Sequence, residues 1–314
     1  MTSRDMPTRL LTRQDALSAS TRLLMVREAR LAASSTILIG ACLLACWSMW
    51  GSWIGGGTPD QSYSSELYTA LFHNAAPLLF GAFLLGAWTI ARERPKTTQE
   101  LFTAAPLSAW HRTAARLAVA AVPALAAALI VSVQAALVSR AGGVPLGDVP
   151  FQVHVMPSLV EWASIPVATV ASFTGGAAVY TFTRSRAVTT LVGGFATFFG
   201  VMAYWLVAFP PAGFISPIGN PVPERDLTSA QLGEQMFQSP LASPDTPGQP
   251  WQLLDPDPVF SAAHSAALLG MAMLFAALTL ERTVPARRNH RLAWFGAGIV
   301  AVASLAQVAT YLLS

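Results

Sequence analysis

Residues 70–90 read ALFHNAAPLLFGAFLLGAWTI, residues 91–116 read ARERPKTTQELFTAAPLSAWHRTAAR, and residues 117–138 read LAVAAVPALAAALIVSVQAALV. The outer two runs carry no Lys or Arg, and each is long enough to cross a hydrocarbon core, which takes about 20 apolar residues. The middle run holds Arg92, Arg94, Lys96, Arg112 and Arg116. Two apolar spans joined by a basic loop define the pattern, and the rest of the chain repeats it. Further candidate spans are Ala33–Ile54, Leu159–Phe182, Ala187–Phe209, Ser261–Leu280 and Leu292–Leu312, giving seven with Ala70–Ile90 and Leu117–Val138.

Composition agrees. The 314 residues are 53% hydrophobic and 11% charged, with a mean hydropathy of +0.49. A soluble domain carries about 25% charged residues, so a water-soluble enzyme is excluded. The net charge of +3 is the mild excess expected of loops facing anionic lipid, and it gives no reason to expect a nucleic-acid partner. With the N-terminus inside, Arg4, Arg9, Arg13, Arg22, Arg27, Arg30, the five basic residues of the 91–116 loop, Arg184, Arg186, Arg282, Arg287, Arg288 and Arg291 all fall inside. Arg140 and Arg225 alone fall outside. This asymmetry sets the expected topology as N-in, C-out. The expected fold class is all-α and polytopic.

Three parts are expected. Residues 1–34 form a cytoplasmic or interfacial amphipathic segment; within it Ser20–Ser34 lies at the interface with Arg22, Arg27 and Arg30 reaching headgroups. Residues 35–285 hold six spans, with a loop helix at 97–106 and a Pro-rich outer segment at 210–260. Residues 286–314 add a basic loop and a last span. Leu43-Leu44-Ala45-Cys46 resembles a lipoprotein cleavage box, but a long polar stretch precedes it and the apolar run continues past it, so span one is expected to be retained. Trp47, Trp50 and Trp53 suit an aromatic belt.

Motifs for chemistry are sparse. Lys96 sits in no phosphate-cradling loop, and the five histidines show no metal-ligand spacing. Cys42 and Cys46 share a helix face and are expected to pack. Gly193, Gly194, Thr197 and Gly200 in span five suit close helix approach, as at a dimer seam. His73, Asn74, Glu161 and His264 fall toward the outer ends of spans two, four and six. They either line an outer cavity for a polar or amphipathic substrate or are unrelated helix-end groups. No acid–base chain crosses the midplane, so an energy source in another subunit is expected.

In the basic loop, Thr98–Ala105 has the pattern of a short helix with Leu101, Phe102 and Ala105 on one face. Pro106 ends it, and Ser108 is placed to cap a new helix running into span three. A helix of this kind either lies on lipid or docks into a partner.

Here the chain resembles the type-2 permeases of ATP-binding-cassette (ABC) exporters. They carry E-x-x-x-G-T-x-E-x-L-x-x-x-P-[LV]-S between spans two and three. Glu93, Thr98, Glu100, Pro106, Leu107 and Ser108 fall in register, and Arg116 supplies the basic residue that follows the motif into span three; Thr97 stands at the family's glycine, Gln99 where a leucine usually follows the threonine, and Phe102 at the pattern's leucine. The seventh span departs from the family's six. The resemblance implies a six-helix permease core plus one span, in the plasma membrane (the inner membrane of a bacterium). It implies coupling to a separate cytoplasmic ABC ATPase dimer, which binds the ATP and Mg, through Thr98, Glu100, Leu101, Phe102, Pro106 and Leu107. A second permease copy or a paralogous permease completes the path, and this chain is no enzyme and holds no cofactor of its own. The alternatives are an intramembrane lipid-modifying enzyme and a seven-span sensor.

Overall fold

The computed structural model describes residues 13–53, 71–92, 107–146, 153–205, 224–226, 252–254 and 258–313. In chain order the helices are α1 (Arg13–Ala33), α2 (Thr36–Trp53), α3 (Ala76–Ala91), α4 (Ala109–Leu117), α5 (Ala121–Arg140), α6 (Leu159–Thr183), α7 (Arg186–Trp205), α8 (Pro258–Thr283) and α9 (Arg287–Leu313). Two antiparallel pairings of three residues each accompany them. They are β1 (Val144–Leu146) with β2 (Val153–Val155), and β3 (Glu224–Asp226) with β4 (Gln252–Leu254).

Among the described residues, five helical segments are long and apolar enough to cross a membrane: Leu71–Ala91, Ala109–Arg140, Leu159–Thr183, Pro258–Thr283 and Arg287–Thr310. A sixth is reached if Ala19–Ala33 and Thr36–Gly51 count as one span bent by 50°. The chain thus has the make-up of a multi-pass helical membrane protein. The 20-residue helix α7 stands where the sequence places span five.

Local chemistry explains the breaks. At the bend between α1 and α2, the Ser34 hydroxyl donates back to the Arg30 carbonyl at 3.0 Å. The Ser35 hydroxyl then accepts the Ile37 N–H at 3.3 Å, capping α2. Between α4 and α5 the run tightens to a 3-10 turn at Ala118–Ala120, just ahead of Pro123, which lacks the N–H that would bond the Val119 carbonyl. α5 ends in a Schellman motif. Gly143 N–H bonds Val138 O at 3.0 Å and Gly142 N–H bonds Ser139 O at 3.2 Å, with positive φ at both glycines. The turn from α6 to α7 places Arg184 in the left-handed region, at φ 56°.

Helix α6 is the hub, packing against α3, α5, α7 and α8. Contacts climb in step along three helices. Phe72 stacks on Trp162, Leu79 meets Ala168 and Leu268, and Ile90 lies with Ala177 and Leu280. So α3, α6 and α8 run in the same direction. α3 and α6 cross backbone to backbone: a Cβ on Gly86 would lie 1.9 Å from Phe173 O, and one on Gly176 would lie 1.8 Å from Phe83 O. α8 and α9 form an antiparallel hairpin closed at Gly270 and Gly296.

The end where α3, α6 and α8 finish is arginine-rich. The Arg186 guanidinium lies over Trp88 at 5.3 Å, Arg282 over Phe182 at 5.8 Å, and Arg288 over Trp110 at 3.5 Å. Arg140 lies at the far end, at the finish of α5.

Two packing expectations change. Gly193 meets the Phe83 and Phe80 rings within the chain, while a Cβ on Gly194 meets nothing within 4 Å; the span-five stripe is therefore split, one residue serving intrachain packing. Cys42 is half-buried against the core, but Cys46 is exposed, because only one of the two positions faces α3 and its neighbours.

Candidate functional site

The residues expected to carry coupling meet the structure at their stems. Thr98, Glu100, Leu101, Phe102 and Pro106 lie outside the described residues, as does most of the 210–260 segment. Leu107 is described and half-buried. Its carbonyl accepts from Arg112 Nη1 at 2.7 Å. Ser108 is in extended backbone and caps α4, accepting the His111 N–H at 3.4 Å. The capping expected from sequence holds, and it fixes where the chain re-enters the bundle.

Both stems converge on a residue that sequence reasoning passed over. Glu28 of α1 is buried, 4% exposed. Its Oε2 accepts from Arg92 Nη1 at 3.2 Å, just after α3, and its Oε1 lies 3.8 Å from Arg116 Nε on α4. Arg116 is 1% exposed. A buried charge is tolerated when paired, and here one carboxylate serves two guanidiniums. The N-terminal helix therefore ties together the two ends of the 93–106 segment. Its inner line is Leu24, Glu28 and Ala32, while Leu23 and Val26 are exposed at 72% and 51%. Arg22, Arg27 and Arg30 are exposed. The signal for Glu28 was an acid between two apolar residues at four-residue spacing within an arginine-rich stretch.

The second stem has a further anchor. The Trp110 Nε1–H donates to Asn289 Oδ1 at 3.2 Å. Asn289, 2% exposed, donates through Nδ2 to Glu281 Oε2 at 3.1 Å and to Val284 O at 2.8 Å. His290 Nε2 lies 3.3 Å from Glu281 Oε1. Beneath this, Leu117, Ala177 and Leu280 form an apolar seat with Trp110 and Leu292 packed against it.

The four residues considered for an outer cavity all sit at the far end. Asn74, Glu161 and His264 are buried, and His73 is half-buried. Counting back along parallel helices from the Leu79–Ala168–Leu268 layer, they lie about 6 to 10 Å beyond it at 1.5 Å per residue. The Phe72–Trp162 ring pair joins the neighbours of His73 and Glu161. Asn74 Oδ1 accepts from the Ser48 hydroxyl at 2.5 Å. Glu161 turns back on its own helix: its Oε2 accepts the Ser158 N–H while Ser158 Oγ accepts the Glu161 N–H, a complete capping box. Among the described residues no group of three or more His, Cys, Asp or Glu is placed to hold a metal ion.

Searches of the chain against protein-family models, curated proteins and solved structures returned no match.

Proposed function

We propose that the chain is the membrane-spanning permease subunit of an ABC exporter in a bacterial plasma membrane, N-in and C-out with seven spans. The observation that carries this reading is the Glu93–Ser108 motif, whose flanking stems are tied at the basic end to α1 by Glu28 and to α9 by Asn289. A segment that transmits force needs fixed stems, and a cytoplasmic ATPase needs the arginine-rich side, which is the inner side by the positive-inside rule.

In this reading an ATPase dimer docks on Thr98–Pro106, with Glu100 toward the ATPase and Leu101 and Phe102 anchoring the short helix. ATP and Mg²⁺ are bound by that partner. ATP-driven closure moves the segment, the stems pass the movement to α3 and α4, and a path opens outward between this chain and a second copy or a paralogous permease. The surrounding lipid bilayer completes the assembly.

The reading of an intramembrane lipid-modifying enzyme is weaker, since the Glu161 carboxylate is occupied in capping α6. The test is to co-express the chain with a cassette ATPase encoded beside it. Glu100→Arg and Pro106→Ala are expected to lower both recovery of the ATPase and stimulated ATP hydrolysis. Wild-type values for both variants in both assays would overturn the docking assignment.

A further inference from the structure

Helix α9 packs chiefly along α8, and over most of its length its surface is exposed. Its start carries the basic residues Arg287, Arg288, His290 and Arg291, and the helix contains no Asp or Glu. Two of these four are engaged inside the chain. The Arg288 guanidinium lies 3.5 Å over the Trp110 ring, and His290 Nε2 lies 3.3 Å from Glu281 Oε1. Arg287 and Arg291 are exposed, and among the described residues neither meets a carboxylate. Their spacing makes them neighbours on one helix face, where like charges repel.

The same face continues away from the arginines without a polar side chain. Trp294, Gly298, Val302 and Leu305 follow Arg291 at steps of three and four residues, which keeps them in line. Trp294 is 78% exposed, and Val302 and Leu305 are exposed with it. Gly298 leaves a dent between them, since a Cβ there would meet nothing within 4 Å. From Trp294 to Leu305 the line runs about 17 Å at 1.5 Å per residue, close to one leaflet of a hydrocarbon core about 30 Å thick. A cationic pair, an indole one turn deeper and an apolar line of one leaflet's depth match, in that order, the phosphate, the interfacial region and the acyl chain of an anionic phospholipid.

We infer that the outward face of α9 holds one anionic phospholipid of the leaflet at the arginine-rich end, its phosphate on Arg287 and Arg291 and an acyl chain lying past Trp294 and across Gly298 to Leu305. The negative phosphate removes the repulsion between the two guanidiniums. A second copy of the chain docked by the same face about a two-fold axis would instead set Arg287 and Arg291 against their own counterparts at equal depth, adding to that repulsion. The lipid site needs only a multi-pass membrane protein and stands whether or not the chain is a permease.

The test uses the full chain, purified in mild detergent and offered equal amounts of phosphatidylglycerol and phosphatidylcholine with the same acyl chains, with native mass spectrometry as the readout. The wild type is expected to retain one phosphatidylglycerol in preference to phosphatidylcholine, and to lose that preference as salt rises. Arg287→Gln and Arg291→Gln are each expected to weaken retention about fivefold, and the double variant about thirtyfold. Arg282→Gln changes an exposed arginine at the same end of the bundle, on α8, and is expected to leave retention unchanged. Gly298→Leu fills the dent with both arginines in place, and is expected to lower retention while the thermal midpoint of the lipid-free chain stays as in wild type. Equal retention of the two lipids by the wild type, or a loss in the double variant no greater than in Arg282→Gln, overturns the inference. Wild-type retention in Gly298→Leu overturns the path given to the acyl chain. A wild-type dimer that is lost on changing Val302 and Leu305 to Ser, with no preference for phosphatidylglycerol, gives the face to a second copy and overturns the lipid site.

Discussion

Replacing Gly176 or Gly86 by alanine should separate the two central helices. The added Cβ at position 176 would lie 1.8 Å from Phe83 O and 2.6 Å from its carbonyl carbon; at position 86 it would lie 1.9 Å from Phe173 O. Ordinary contact begins near 3.4 Å, so α3 and α6 must part by about 1.5 Å, since neither obstacle is a side chain that can swing away. A gap of even 0.5–1 Å forfeits about a quarter to a half of each dispersion contact, and the residues around the crossing include Phe173, which is fully buried. Overpacking costs about 1–3 kcal/mol, and a double backbone clash belongs at the upper end. Alanine's better helix propensity offsets about 1 kcal/mol, leaving a net loss of about 2 kcal/mol. Gly40→Ala and Gly194→Ala are the controls, because a Cβ there meets nothing within 4 Å; both should be neutral or slightly stabilising. The assay is the midpoint of thermal aggregation of the purified chain in detergent. If Gly176→Ala matched Gly194→Ala, the close crossing of α3 and α6 would be wrong.

Glu28→Gln should cost about 2–3 kcal/mol in the same assay, because it weakens the pairing of the buried Arg116 guanidinium. Arg92→Ala should cost less than about 1 kcal/mol, since the Arg92 side chain is 32% exposed and its ion pair is screened. Glu161→Gln should stay within about 0.5 kcal/mol of wild type and keep transport, because glutamine still accepts the Ser158 N–H, whereas Glu161→Ala should cost about 1 kcal/mol. Loss of transport in Glu161→Gln with stability intact would give the carboxylate a role on substrate.

The elements that were legible from sequence are those set by local chemistry. Apolar runs free of Lys and Arg located the long helices within a few residues, and Ser108 after Pro106 located the start of α4. The bend at Ser34–Ser35 falls at the expected boundary between residues 34 and 35, but the two hydroxyls that divert the backbone there were not singled out. Glu28, Trp110 and Asn289 were not singled out, because their partners lie 64 and 179 residues away in the chain. A charge pattern gives the side on which an arginine lies but not which carboxylate it meets. Glu161 was read either as lining an outer cavity or as an unrelated helix-end group. Its acid at the third position after Ser158 was the capping signal, and the helix end uses it. The glycines of span five looked like one seam, and only the position of Phe83 shows that Gly193 is spent inside the chain.

The central claim is that residues 98–106 meet a cassette ATPase. The most direct measurement places a photo-crosslinking phenylalanine at Glu100, Leu101 and Phe102 in turn, in native membranes, and identifies each adduct by mass spectrometry. The account predicts an adduct with an ABC ATPase from position 100, reduced at 101 and 102, where the side chains anchor the helix to this chain. Adducts with lipid alone from all three positions, in membranes where that ATPase is expressed, would contradict it.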